Sequence, residues 1–395
     1  MTPARAVLDW TDENSETRSA LWRSESGAQL PARVVVADDR VKADVAYRLA
    51  CEGTAILWRG DFQNARQLLA AMGRRMDRRR RVSVPSPPSP PLLPSPAVAF
   101  HRYRQTRAQR ARTLGMLLVP FEAGCVIPLR RAPDVRQACV EAGCPADEAF
   151  VLSLRELLGV ISAREWREKG VAVSALGARI HPHYGVFSPV RGEYVDLVAR
   201  APLPALGSAH DIGAHDIGAY DIGTGTGVLA ALLVRRGVGR VVATDQDPRA
   251  LACARENLTR LGLTGRVDVV EADLFPAEHR VPLVVCNPPW IPAQPGSPLE
   301  YAVYDPGSRM LRAFVGRLAA HLQPGGEGWL VLSDLAEHLG LRTREELLTL
   351  FDASGVDVAG RLDAKPRHPR VSDRTDPLHA ARAAETTSLW RLTAR

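Results

Sequence analysis

Asp221-Ile222-Gly223-Thr224-Gly225-Thr226-Gly227 (DIGTGTG) and Asn287-Pro288-Pro289-Trp290 (NPPW) decide how this chain is read. Between them, Asp245 closes the apolar run 241–244 and Asp273 follows the run 267–270. Four short apolar segments each stop at a polar or glycine-rich turn, as successive parallel strands do when they end on one edge of a sheet. Open α/β sheets bind ligands at that edge.

The same rhythm extends downstream. Helices are predicted over 228–236, 248–261, 308–322 and 344–353, and strands over 221–223, 240–244, 266–270, 281–286, 328–332, 356–359 and 388–392, a count of seven. Pro248 suits the first turn of its helix, and Gly237 suits the end of the one before. Just upstream lies a direct repeat of period five: Asp211–His215, Asp216–Tyr220, then Asp221 onward. Five matches neither the strand period of two nor the helical 3.6, so the first two copies are expected to be a surface insertion.

The N-terminal half reads differently. Residues 1–82 are expected to form an α+β accessory module, with strands at 32–37 and 54–58 and a helix over 64–75. The tract VPSPPSPPLLPSP at 84–96 is stiff and extended, so 83–97 reads as a linker. Residues 98–180 are expected to be helical, ending in a β-hairpin near 170–181, with Trp166 packed on the bundle. Residues 181–395 carry the sheet.

Composition narrows the function. A chain of 395 residues with 46% hydrophobic content and no apolar run long enough to span a bilayer reads as soluble, and the acidic start, with Asp9, Asp12, Glu13 and Glu16, predicts a cytoplasmic protein. The six cysteines form no C-x-x-C pair, so no metal site or disulfide framework is expected. His181 and His183 are read as packed or exposed, not as ligands. The net charge is +7, and nearly all the positive charge is arginine, clustered at Arg74, Arg75 and Arg78 to Arg81, and again from Arg102 to Arg112. Such runs suit an acidic partner.

A glycine loop alone is weak evidence, since it also serves dinucleotides. Followed at matching strand ends by Asp245, Asp273 and NPPW, it resembles the class I S-adenosylmethionine-dependent methyltransferases. More narrowly it is similar to the "methyltransferase small" group, which holds the HemK-like glutamine N-methyltransferases and RNA guanine N-methyltransferases. The resemblance covers about 180–395 and implies a Rossmann-like, seven-stranded α/β sheet with S-adenosyl-L-methionine as cofactor. It implies that Asp221 pairs with the cofactor's positive charge and that Gly223, Thr224, Gly225 and Gly227 cradle its methionine part. Asp245 would hold the ribose hydroxyls, and Asp273 and Leu274 the adenine. Asn287, with the Pro288 carbonyl, would orient an acceptor nitrogen, and Trp290 would stack on a planar acceptor. The glutamine enzymes resemble NPPY at this turn, whereas this chain has Trp290; the arginine runs favour RNA as the macromolecular acceptor over protein glutamine. An inactive scaffold would be expected to lose the glycine loop or Asn287, and an NAD-dependent enzyme has no use for NPPW.

Overall fold

The computed structural model describes residues 6–12, 14–82, 95–204, 218–276, 279–367 and 369–395. The linker call, as far as residue 94, and the repeat copies up to residue 217 lie outside the described residues. Two compact units are present. One comprises Met1–Pro94, His101–Glu165 and Gly296–Pro298; the other comprises Ser95–Phe100, Trp166–Pro295 and Leu299–Arg395.

The first unit is built on a six-stranded mixed sheet. Its strands are β1 (Val7–Thr11), β2 (Thr17–Arg23), β3 (Arg33–Ala37), β4 (Thr54–Trp58), β5 (Leu117–Phe121) and β6 (Phe150–Ser153), in the order β1-β2-β6-β5-β4-β3. The helices are α1 (Ala43–Cys51), α2 (Phe62–Val82), α3 (Pro96–Gly115), α4 (Arg136–Glu141) and α5 (Leu154–Lys169), of which α3 and α5 continue into the second unit. The expectation that 98–180 is helical up to its hairpin is corrected here: β5 and β6 are inner strands of this sheet. Both are short, wholly buried apolar runs, and β6 passes into α5 without a break, so periodicity could not separate strand from helix. Trp166, expected to be packed, is 50% exposed.

The second unit opens with the hairpin β7 (Val171–Val173) and β8 (Ala178–Ile180), then α6 (Glu193–Arg200). Strands and helices then alternate: β9 (Ala219–Ile222), α7 (Val228–Arg235), β10 (Val241–Asp245), α8 (Pro248–Arg260), β11 (Val267–Glu271), β12 (Val281–Cys286), α9 (Arg309–His321) and β13 (Leu322–Ser333). The chain ends through α10 (Leu335–His338), α11 (Arg344–Ala353), β14 (Val356–Ala364), α12 (His379–Ala384) and β15 (Thr387–Ala394). The seven-stranded sheet runs β11-β10-β9-β12-β13-β15-β14, parallel from β11 to β13 and antiparallel at β15.

Local chemistry explains these boundaries. Asp247 caps α8 by accepting from Arg249 N at 2.9 Å, with Pro248 in the first turn. Thr343 and Glu346 form a reciprocal capping box on α11. One face of the sheet buries α6, α7 and the hairpin, with Leu197, Leu232 and Trp329 at its centre. The other buries α9 and α11 on Tyr220, Phe314, Phe351 and Leu330. Strands buried on both faces read as continuous apolar runs, which is why 281–286 was legible.

The repeat is where the sequence reading fails. β9 starts at Ala219, so the last two residues of the second copy, Ala219 and Tyr220, are built into the central strand. Ala219 and Tyr220 pair with Val241 and Val242 on one side and with Leu283 and Val284 on the other, and Tyr220 is fully buried with its hydroxyl donating to the His279 carbonyl at 3.2 Å. Deleting 211–220 would bring His210 to the place of Tyr220. The loss of a large buried aromatic predicts destabilisation of about 3–5 kcal/mol, read as a fall in thermal midpoint or loss of soluble protein. An unchanged melt would contradict the placement of Tyr220 in the core of the sheet.

Candidate active site

Strand order reverses outward from the adjacent pair β9 and β12, so the crevice of this sheet opens at their carboxyl ends. Cys286 lies opposite Ile222 across that pair. Chain connectivity alone therefore brings the glycine loop, which leaves β9, beside NPPW, which leaves β12.

The loop is held from below by Asp221. Its side chain is 1% exposed, and its Oδ2 accepts from the Thr224 hydroxyl at 2.6 Å and from Ala230 N at 3.0 Å, which ties strand, loop and α7 together. Burial pushes this carboxyl up to about 6, against the opposing effect of those two hydrogen bonds and with a further upward push from Asp245. Gly225 and Gly227 have φ of 55° and 79°, in the left-handed region. A Cβ on Gly227 would meet Ala254 of α8 at 3.3 Å, whereas a Cβ on Gly225 would enter open space. Gly227 thus serves packing, and Gly225 marks the concave side. A Cβ on Gly223 would meet the Met310 side chain at 2.8 Å.

Asp245 closes the next strand end. Its carboxylate accepts from Gly225 N at 3.1 Å and from Asp247 N at 3.0 Å, and burial raises its pKa despite those bonds. Thr224 N donates to the Thr244 carbonyl at 2.8 Å, so the loop and the end of β10 form one scaffold. Asp273 is exposed on the next turn. The adjoining Leu274 has φ 72°, unusual for a branched side chain, and its carbonyl accepts from the Thr244 hydroxyl at 2.5 Å. Phe275 is buried in the core: it stacks on His321 at 4.0 Å and lies under Arg317 at 5.2 Å. Among the described residues none of Asp221, Asp245 and Asp273 forms an ion pair. Three acidic strand ends without cationic partners suit a positively charged ligand.

At NPPW, Asn287 is part-buried and its Oδ1 accepts from Trp290 Nε1 at 2.9 Å. Two features here were not legible in the sequence. Arg191 lies over the Trp290 ring at 5.2 Å and donates to Glu193 at 3.1 Å and to Glu385 at 3.0 Å, joining segments 194 positions apart. Asp305 accepts from Met310 N and Leu311 N at the start of α9, and its own N–H donates to the Ile291 carbonyl at 2.9 Å, so the chain after NPPW is anchored on both sides. His183, read as packed or exposed, meets Glu256 of α8 at 2.7 Å, a partner 73 positions away.

The family description "Methyltransferase small domain" matches residues 177–354, which contain every one of these strand ends. A tRNA1(Val) (adenine(37)-N6)-methyltransferase of Shewanella amazonensis is 30% identical over 42% of this chain and 72% of its own length. The chain belongs to the methyltransferase small domain family. A release factor glutamine methyltransferase of Cereibacter sphaeroides is 34% identical over 36% of this chain and 55% of its own length. A ribosomal protein L11 methyltransferase of Pelotomaculum thermopropionicum is 51% identical over 39% of this chain and 40% of its own. The chain thus spans about half the length of these two curated relatives.

Asp221 gives this family member a pH signature. Because its folded pKa is raised from 3.8 to about 6, the neutral form confers stability that is complete below the ordinary carboxylate range and is lost as pH rises through about 6. Asp221→Asn is therefore expected to match the parent near pH 4 and to exceed it at pH 8 by roughly 1–3 kcal/mol in urea unfolding. A variant less stable than the parent at pH 8 would contradict this.

Proposed function

We propose that the second unit is an S-adenosylmethionine-dependent N-methyltransferase acting on a planar amide or amine nitrogen of a macromolecule. The observation that carries this is the Asn287 turn at the switch point, beside three acidic strand ends without ion-pair partners. The donor set fits the cofactor. Asp245 would hold the ribose hydroxyls, Asp273 and Leu274 the adenine, and Gly223, Thr224, Gly225 and Gly227 the methionine part, with the Asp221 charge beneath. When bound, the cofactor supplies a methyl group on a positively charged sulfur.

The chain's own residues then address the acceptor. A nitrogen conjugated to a carbonyl or ring is a poor nucleophile because its lone pair is delocalised. Asn287 Oδ1 and the Pro288 carbonyl each accept one N–H, which turns that lone pair toward the methyl group; orientation of this kind contributes several kcal/mol. Pro288 and Pro289 have no N–H to compete for those oxygens. Asn287 and Pro288 would hold the nitrogen, the cofactor would supply the methyl group, and the nitrogen's proton would pass to solvent, so no residue of the chain need act as a base.

RNA is the acceptor we favour, supported by the basic helices of the first unit, where Arg102 and Arg112 of α3 are exposed, and by the relative that acts on tRNA adenine. Protein glutamine is the second reading, supported by the similarity to release factor glutamine methyltransferases.

Calorimetry is expected to show saturable binding of S-adenosylmethionine and none of NAD; the reverse would overturn the cofactor reading. Asn287→Ala should lower turnover by about 100-fold while cofactor affinity stays within a few-fold, and an unchanged turnover would remove Asn287 from its role. RNA binding should weaken with salt at a log–log slope of about −0.7 per neutralised phosphate, flattened by replacing Arg102 and Arg112 with Gln. Label confined to protein glutamine would replace the RNA reading with the second one.

A further inference from the structure

An asparagine amide that must accept N–H bonds has a problem of its own. Its oxygen and its NH2 have nearly the same shape, so a half-turn of the side chain would present donors where an acceptor is needed. The partner at hand removes that ambiguity. An indole N–H donates and never accepts, so Trp290 Nε1, at 2.9 Å, pairs only with the oxygen of Asn287. A carbonyl-type oxygen has a second lone pair, which stays available to an incoming N–H. A tyrosine hydroxyl donates or accepts and would tolerate either orientation of the amide.

The indole is itself held. Arg191 lies over one face at 5.2 Å, and its guanidinium is fixed by Glu193, 6% exposed, and Glu385, fully buried. Glu385 is anchored in turn by the Ser333 hydroxyl at 2.7 Å, at the carboxyl end of β13. Moving Arg191 would strand two buried carboxylates, so the brace is stiff.

We propose that Trp290 is a positioning residue acting through Asn287, and that Arg191, clamped between Glu193 and Glu385, is the brace that fixes the indole. Trp290 orients the amide that takes the acceptor nitrogen, and Arg191 covers one face of its indole. This rests on the N-methyltransferase reading above. It also gives NPPW a reason to carry Trp in this chain and ties the site to a strand end, Thr387 of β15, just after Glu385.

The test compares wild type with Trp290→Phe, which keeps a planar apolar ring and loses only the N–H, using methyl-labelled S-adenosylmethionine with total cellular RNA and, separately, total cellular protein as acceptors. Trp290→Phe is expected to lower kcat by about 10- to 100-fold with KM for the labelled pool and cofactor affinity within a few-fold. Retained kcat, or a rise in KM alone, overturns the proposal in favour of simple stacking. A second readout needs no turnover: the indole N–H resonance that disappears in Trp290→Phe should shift in Asn287→Ala and in Arg191→Met, and an unmoved resonance in either overturns the proposal. A wild-type protein that labels neither pool overturns the methyltransferase reading together with this proposal, whereas a labelling wild type with an equally active Trp290→Phe overturns this proposal alone.

Discussion

The buried carboxylate of Asp221, tied to the Thr224 hydroxyl and to Ala230 N, is the contact on which the site depends. It sits at the end of the central strand, where it closes the turn from β9 into α7 and so sets where the glycine loop lies. Leaving an ionised group there is costly, and burial holds its pKa at about 6. A hydrophobic residue at this place would remove that cost but leave the Thr224 hydroxyl and the Ala230 N–H without their acceptor. What the carboxylate offers instead is negative potential beneath the loop, reinforced by Asp245 on the neighbouring strand. Strain or cost retained at one edge of an otherwise consistent fold is characteristic of a functional site.

The second half of the site is a chain of contacts leading away from the reaction point: Asn287 to Trp290, Trp290 to Arg191, Arg191 to Glu193 and Glu385, Glu385 to Ser333. Each link is short-range, yet together they span the ends of β12, β13 and β15. Both halves meet because β9 and β12 are neighbours at the switch point of the sheet. Topology places the parts, and hydrogen bonds set their orientation.

Much of this was legible from sequence because the parallel strands are buried on both faces and end in distinctive chemistry. The run 281–286 and the helix 344–353 came out within their observed limits. Asp221, Asp245 and Asn287 converge on one edge because an α/β rhythm implies it. Other features stayed hidden for physical reasons. The strands β5 and β6 are too short for their periodicity to differ from that of a buried helix turn. The start of β9 was misplaced because two repeat copies offer the same Asp-Ile-Gly signal, and only the pairing of Ala219 and Tyr220 distinguishes them. Glu385 and Arg191 lie 194 positions apart, and no local pattern links residues at that separation.

If the negative potential of Asp221 exists to meet a cationic cofactor, its titration must respond to that cofactor. The most direct measurement is a carbon-detected NMR titration of the Asp221 carboxyl, with Asp221→Asn to assign the signal, in the free protein and with saturating S-adenosylmethionine. The account predicts a midpoint of about 6 in the free protein that falls toward the ordinary carboxylate range when the positively charged ligand binds. A midpoint that is the same with and without bound S-adenosylmethionine would contradict it.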